Sequence, residues 1–514
     1  MEKIPKDLIY EFCKYLDKNS ICNFSACNKW FHGKINIYLE KNYYLNIPEK
    51  QKIRKIKKLK VEPLSDFLIN KNHRKLIVHD FSRIENNCLI NITHLIFGCC
   101  FSQPVNFNRL INLTHLTFGK NFDHSINLDC LINLTHLTFG DWFDRSVNFD
   151  CLINLTHLTF GCYFDQPVNF KLVNLTHLTF GNKFNHSVNF DCLINLTHLT
   201  FGYWFNHSVN LDCLVNLTHL TFGECFDRSV NLDCLINLTH LTFGRLFNHF
   251  LDFNCLINLE HLTFEYFFDR PVNLDHLINL THLTFDNHFN QIVDLNCLIN
   301  LSHLTFGRLF NQTTNFDRLI NLTHLTFGEC FNQASNFDHL INLTHLTFGE
   351  CFNRALDFDC LINLTHLTFG ENFCQPVNFN RLINLTHLSF DFWFNYPVNF
   401  DCLVNLTHLS FGFKFNHPVN FDRLINLTHL SFGKNFNQIV NLDRLINLTR
   451  LSFGNKFNQL VNLDCLVNLT SLSFGKNFNQ KISIKKLSNL VYIHLPDDYQ
   501  YFFKEKDIPE RYKK

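Results

Sequence analysis

From about residue 89 onward one 21-residue unit is copied along the chain, and this period restricts the fold more than any other feature. A clear copy opens with Leu113-Thr114-His115-Leu116-Thr117-Phe118-Gly119 and closes with Leu131-Ile132-Asn133. Its histidine recurs 17 times, at His94, His115, His136, His157, His177 and on to His429. Arg450, Ser471 and Tyr492 continue the register to 20 anchors. Every step is 21 residues except one of 20, between His157 and His177. Such constancy of length is expected when each repeat is one coil stacked on its neighbours.

With Leu113 counted as position 1, the apolar positions of a coil are 1, 4, 6, 10, 14, 16 and 19. Leu at 4 and Phe at 6 alternate with His at 3 and Thr at 5, a period of two that predicts a short strand with His and Thr pointing outward. The glycine at 7 suggests a turn with positive φ, although Glu265, Asp286 and Asp391 replace it in three copies. Fourteen residues remain to close each circuit, too few for a substantial helix and two turns, so extended or single-turn segments are expected on the back. Twenty coils about 4.8 Å apart would make a rod or arc about 95 Å long. Phe at 6 and 10 would stack in columns and absorb much of the 60 Phe. Asn at 15 or at 21 would satisfy backbone groups at the turns, and one of the two would form a ladder.

Composition removes several function classes. Lys and Arg number 45 and so do Asp and Glu, so no global basic face speaks for nucleic acid. No apolar run reaches the roughly 18 residues of a membrane span. The opening Met1-Glu2-Lys3-Ile4-Pro5-Lys6-Asp7 carries no apolar signal core. Sixteen of 17 glycines sit at position 7, which excludes a Gly-rich phosphate loop. Ten of 21 cysteines share position 18, among them Cys130, Cys151 and Cys192, where other copies hold Arg109, His276 or Arg318. A position that takes Cys and Arg alike is neither a bridge nor a metal ligand, and is expected to be half exposed. Eighteen copies read Asn-x-Thr or Asn-x-Ser at the coil junction, and glycans on successive coils would crowd one another. A reduced, cytoplasmic or nuclear setting is therefore expected.

The pattern Leu-x-x-Leu-x-Phe resembles a very short leucine-rich repeat. Phe415-Asn416-His417-Pro418-Val419 and Phe101-Ser102-Gln103-Pro104-Val105 resemble the FNIP repeat, a family usually given a 22-residue unit against the 21 found here. The likeness covers about 400 residues. It implies a leucine-rich-repeat-like solenoid with a binding role and no chemistry of its own.

Residues 1–45 do not repeat. Leu8, Ile9, Phe12, Tyr15 and Leu16 fit one helical face, and two further short helices are expected to follow. Ile4-Pro5-Lys6-Asp7-Leu8-Ile9, Tyr15-Leu16-Asp17 and Trp30 resemble an F-box, with Ile4 for the usual Leu, Asp7 for Glu and Cys27-Asn28 where Val-Cys is common. That family docks on the Skp-family adaptor of cullin-RING ubiquitin ligases. The resemblance gives Ile4, Pro5, Leu8, Ile9, Phe12, Leu16 and Trp30 as adaptor-binding residues. An F-box followed by such repeats resembles proteins of amoeba-infecting giant viruses. Residues 46–88 are read as a transitional segment and N-terminal cap; the basic run from Lys50 to Lys60 suits a cap better than a localisation signal, and Lys75-Leu76-Ile77-Val78 resembles a worn repeat strand. The solenoid is assigned to 89–495 and a C-terminal cap or tail to 496–514.

The expected fold is thus a small N-terminal α-helical F-box followed by a long β-rich leucine-rich-repeat-like solenoid of about 20 coils with a 21-residue step. The histidine column invites a metal reading, but no carboxylate column or bounded ligand set accompanies it, so no metal or cofactor is assigned. Its titration is expected to be depressed and broad. No nucleophile is singled out from twenty near-equal copies, so no catalytic residue is assigned either. Positions 8 and 9 change in nearly every copy and hold three of the four Trp. Trp142, Tyr163, Tyr203, Trp204, Phe392 and Trp393 are the target-binding candidates. The function expected is a substrate receptor of a ubiquitin ligase holding a target protein, in the cytoplasm; the alternative is a protein–protein interaction scaffold with no ligase link. Nucleic acid and membrane are not expected partners.

Overall fold

The computed structural model describes residues 75–78 and 92–501. The F-box-like helices, their seven named residues and most of the 46–88 segment lie outside the described residues.

Strands of three or four residues recur once per coil, from β1 (Lys75–Val78) and β2 (His94–Phe97) to β21 (Tyr492–His494), in one 21-stranded sheet. Each strand pairs in parallel with the next, so sheet order is chain order, and anchors face anchors: His198 opposite His219, His219 opposite His240. A parallel ladder needs a crossover between strands, and here the rest of the coil supplies it without any helix among the described residues.

The coil from Leu217 to Asn237 shows how the circuit closes. Three tight turns bend it: the Phe226 N–H donates to the Gly223 carbonyl (3.1 Å), Leu235 to Leu232 (3.0 Å) and Leu238 to Leu235 (3.0 Å). The apolar side chains at positions 1, 4, 6, 10, 16 and 19 all turn inward and join one continuous core. Position 14 is half buried in most coils, as Val230 illustrates, and fully buried at Val293, Val440 and Ile482. Phe222 stacks on Phe243 of the next coil (5.4 Å between centroids) and Phe226 on Phe247 (6.1 Å), while Phe222 and Phe226 lie 4.1 Å apart within the coil. These are the two expected aromatic columns. At the C-terminal end Tyr499 stacks on Phe478 (6.0 Å), and its hydroxyl donates to the Gln480 carbonyl (3.0 Å).

The glycines are there for a different reason from the one expected. No described residue has positive φ. A β-carbon built on Gly223 would instead overlap the carbonyl group of Gly202 in the preceding coil, and the same holds coil after coil. Glycine is demanded by the close approach of successive backbones. Where Glu265 and Asp286 replace it, their N–H groups donate to the Phe243 and Phe264 carbonyls (3.3 and 3.0 Å). The ladder there runs one residue further, through β9 (His240–Phe243), β10 (His261–Phe264), β11 (His282–Phe285) and β12 (His303–Phe306).

Candidate functional site

Because every coil repeats the same positions, the surface is organised in lengthwise columns, and function must be sought column by column.

On the strand face the imidazoles form an unbroken stack. His198 and His219 have centroids 4.2 Å apart with an interplanar angle of 12°, and the pairs from His94 to His429 keep this geometry. A hydroxyl at position 2, from Thr in most coils and from Ser302 in one, fixes the ring in the coils that carry it, while Glu260 takes the place before His261: the Thr218 hydroxyl lies 3.0 Å from the Thr197 carbonyl and 2.9 Å from His219 Nδ1. Nδ1 is thereby engaged within the repeat and the ring cannot turn freely. Partial burial, followed by repulsion from other rings of the stack, holds the imidazole pKa below its ordinary value at His136, His177, His324 and His366, among others. It falls to about 4 at His198, His282 and His387. Zinc needs nitrogens converging on one point at about 2.0–2.1 Å. Near-parallel rings aim their lone pairs side by side, so the stack is a poor chelator. Among the described residues no group of three or more His, Cys, Asp or Glu is placed to hold a metal ion.

Two polar ladders, at positions 21 and 11, join the threonine ladder in tying the coils together. Asn216 Nδ2 donates to the Ile194 carbonyl of the preceding coil (2.9 Å), so position 21 is the inter-coil ladder. Position 15 works within its own coil, as where Asn210 Oδ1 accepts from the Asp212 N–H (3.0 Å). A further ladder, at position 11, escaped the sequence reading: Asn185 Oδ1 accepts from the Asn206 N–H (3.0 Å), and Asn206 Oδ1 from the Asp227 N–H (3.1 Å). The recurrence of Asn or Asp after the position-10 Phe was its signal. Threonines at 2 and asparagines at 21 together line a groove of 1840 Å³ from Thr93 to Asn321, continued by one of 1290 Å³ to Asn489.

Position 20 also escaped the sequence reading. Its Ile or Val is apolar yet points out, from Ile111 to Val467; Ile236 is 51% exposed. The cysteines at 18 are half exposed or exposed and unbridged, as their exchange with Arg implied.

The edge formed by positions 8 and 9 is where the coils differ. Its backbone is pinned: the Trp142 N–H donates to the Lys120 carbonyl (2.9 Å), Trp204 to Asn182 (2.9 Å) and Trp393 to Glu371 (2.9 Å). Its side chains are free to vary. Trp142 (49% exposed) stacks on Tyr163 at 4.3 Å, and Tyr203 meets Trp204 edge-on at 5.0 Å. Lys183 lies 5.2 Å from the Trp204 ring centroid. Phe392 and Trp393 form a third group, nine coils further on. The six candidates thus make three clusters on one edge rather than a single patch. Tyr266, Phe267 and Phe413 occupy the same two positions and belong with them. Arg245 sits over Tyr266 at 4.4 Å and Lys414 over Trp393 at 4.8 Å. Between the clusters the edge turns acidic, with Glu329, Glu350 and Glu371 in successive coils; Arg308 pairs with Glu329 at 2.6 Å. Burial, Cys330 and the Glu329 and Glu350 carboxylates raise the Cys351 pKa, which keeps that thiol protonated.

A parallel ladder with one leucine-rich coil per strand defines a leucine-rich-repeat solenoid. The crystal structure of CroV588, a circular leucine-rich-repeat protein of a giant virus, is 35% identical to this chain, with a TM-score of 0.62 over 85% of this chain and 73% of that one. The chain belongs to the same leucine-rich-repeat family as CroV588. The Toll–Spätzle complex from Drosophila is similar in fold alone, at 15% identity and a TM-score of 0.55, over 80% of this chain and 64% of that one. No protein-family model and no curated protein matches the sequence. Among the described residues no helix is long and apolar enough to cross a membrane.

Proposed function

We propose that the chain is the substrate-receptor subunit of a cullin-RING ubiquitin ligase, acting in the cytoplasm. Its FNIP-like solenoid holds a target protein, and the F-box-like residues Ile4, Pro5, Leu8, Ile9, Phe12, Leu16 and Trp30 engage a Skp-family adaptor. The observation that carries the solenoid's part is the edge at positions 8 and 9. Its main chain is pinned from coil to coil while its exposed side chains differ, which is how a repeat scaffold presents a recognition surface. Trp142, Tyr163, Tyr203, Trp204, Phe392 and Trp393 are its aromatic anchors. The chain itself breaks no bond. It raises the effective concentration of target lysines near the charged ubiquitin carrier.

The test is co-purification of the intact protein with a Skp-family adaptor, beside a Leu8→Asp, Ile9→Asp double variant. Binding that the variant loses, with the β-rich circular dichroism spectrum retained, is the expected result. Failure of the intact protein to bind any adaptor tried would reduce residues 1–45 to a cap and leave an interaction scaffold.

A further inference from the structure

The variable edge changes chemical character along its length. In the four coils anchored by His408, His429, Arg450 and Ser471, no Asp or Glu occupies positions 1 to 15. Those same coils place Lys414, Lys434, Lys456 and Lys476 on the edge, one per coil. None of the four pairs with a carboxylate among the described residues. In a chain with no net charge, this is a local excess of cation. The lysines adjoin an aromatic platform. Phe392 stacks on Phe413 at 4.4 Å, Lys414 lies 4.8 Å from the Trp393 ring centroid, and Lys434 lies 5.0 Å from that of Phe413. On the strand face a groove of 550 Å³ runs from His366 into these coils as far as Ser473 and includes Arg450, a permanent cation at the histidine position.

We propose that this C-terminal stretch binds a short, extended, acidic segment of a protein partner. The inference rests on the reading of the solenoid as a target-binding array and names the chemistry of the target. An extended chain crossing the coils meets a lysine about every 4.8 Å and advances about 3.3 Å per residue, so carboxylates at nearly every residue or every second one find a cation. Coulomb attraction at this half-exposed edge is screened by salt and serves selection and encounter more than raw affinity. Two observations favour a peptide over single-stranded RNA. RNA binding without base pairing needs aromatic faces free for bases to stack on. Here Phe392 and Phe413 cover each other, and Lys414 sits over Trp393. A long polyanion would also run onto Glu371, Glu350 and Glu329 further along the edge, which limits the ligand to a few coils.

The experiment is fluorescence anisotropy on the full chain with a labelled Asp/Glu-rich peptide, a Lys-rich peptide of equal length and a single-stranded RNA of equal charge. The acidic peptide should bind, and more weakly as salt rises. The Lys434→Glu, Lys456→Glu variant should lose about tenfold in affinity, with Lys434→Ala, Lys456→Ala between it and the unaltered chain. Glu350→Lys, on the acidic stretch, should not weaken binding. Equal binding of both peptides, an unchanged Lys434→Glu, Lys456→Glu variant, or RNA binding as tightly as the acidic peptide would overturn the inference. Adaptor co-purification of the same variants separates the two readings: adaptor binding without acidic-peptide binding removes only this one.

Discussion

Two aromatic columns run the length of the array under the same constraint, one ring per coil, and they behave as opposites. Phe226 and its equivalents are fully buried, stacked at 6.0–6.2 Å through most coils, and carry no group that titrates. The histidines stack more closely, at 4.0–4.2 Å, on the half-exposed strand face. The same one-ring-per-coil repetition adds dispersion in the first column and charge repulsion in the second once protons arrive. The repeat therefore builds a core indifferent to pH and a face that is sensitive to it, and four substitutions sharpen that contrast.

The largest effect is expected inside. Phe226→Ala removes a ring packed against Phe205, Phe222 and Phe247 and should cost about 3–5 kcal/mol in denaturant unfolding, alike at neutral and mildly acid pH. Next comes Gly202→Ala. Its new β-carbon meets the Gly181 carbonyl, and the overpacking should cost about 1–3 kcal/mol, read as a lower melting temperature. Thr218→Val removes the hydroxyl between the Thr197 carbonyl and His219 Nδ1 and should cost about 1 kcal/mol. It should also shift the His219 imidazole resonances, which no core substitution would do. Asn216→Ala cuts one exposed rung to the Ile194 carbonyl and should cost about 0.5–1 kcal/mol by the same melt.

Most of the coil was legible in the sequence because two periods coincide in it. Alternation over Leu220-Thr221-Phe222 marks the strand, and the 21-residue step stacks each strand on its copy. The inward-facing set followed from that, apart from position 14, which is half buried in most coils. The outward Ile236 shows the limit: an apolar residue beside buried Leu235 looks like core until the turn at Leu235 directs it to solvent. The glycines misled for a related reason. Their constraint is the carbonyl of another coil, 20 or 21 residues back, and a local reading of φ does not see it. The ladders at Thr218 and Asn206 were hidden likewise, since their partners belong to neighbouring coils. The candidate edge was legible as variability at Trp142, Tyr163, Trp204 and Trp393. Its division into separate aromatic clusters with an acidic interval around Glu350 became clear only once the coils were stacked.

The central contrast is tested most directly by thermal melts of the intact chain at pH 7.5 and pH 5. Fourteen of the seventeen stacked imidazoles are held below their ordinary pKa in the folded array, down to about 4 at His198, His282 and His387, whereas the unfolded chain takes up protons near 6.5. The unfolded state therefore binds more protons as pH falls. The stability is fully present above pH 6.5 and is lost progressively between about 6.5 and 4. Glu260 eases the repulsion at His219 and His240, and Arg450 adds to it at His408 and His429. The account predicts a clearly lower midpoint at pH 5, with the Phe226→Ala penalty unchanged between the two conditions. Equal midpoints at the two pH values would contradict it.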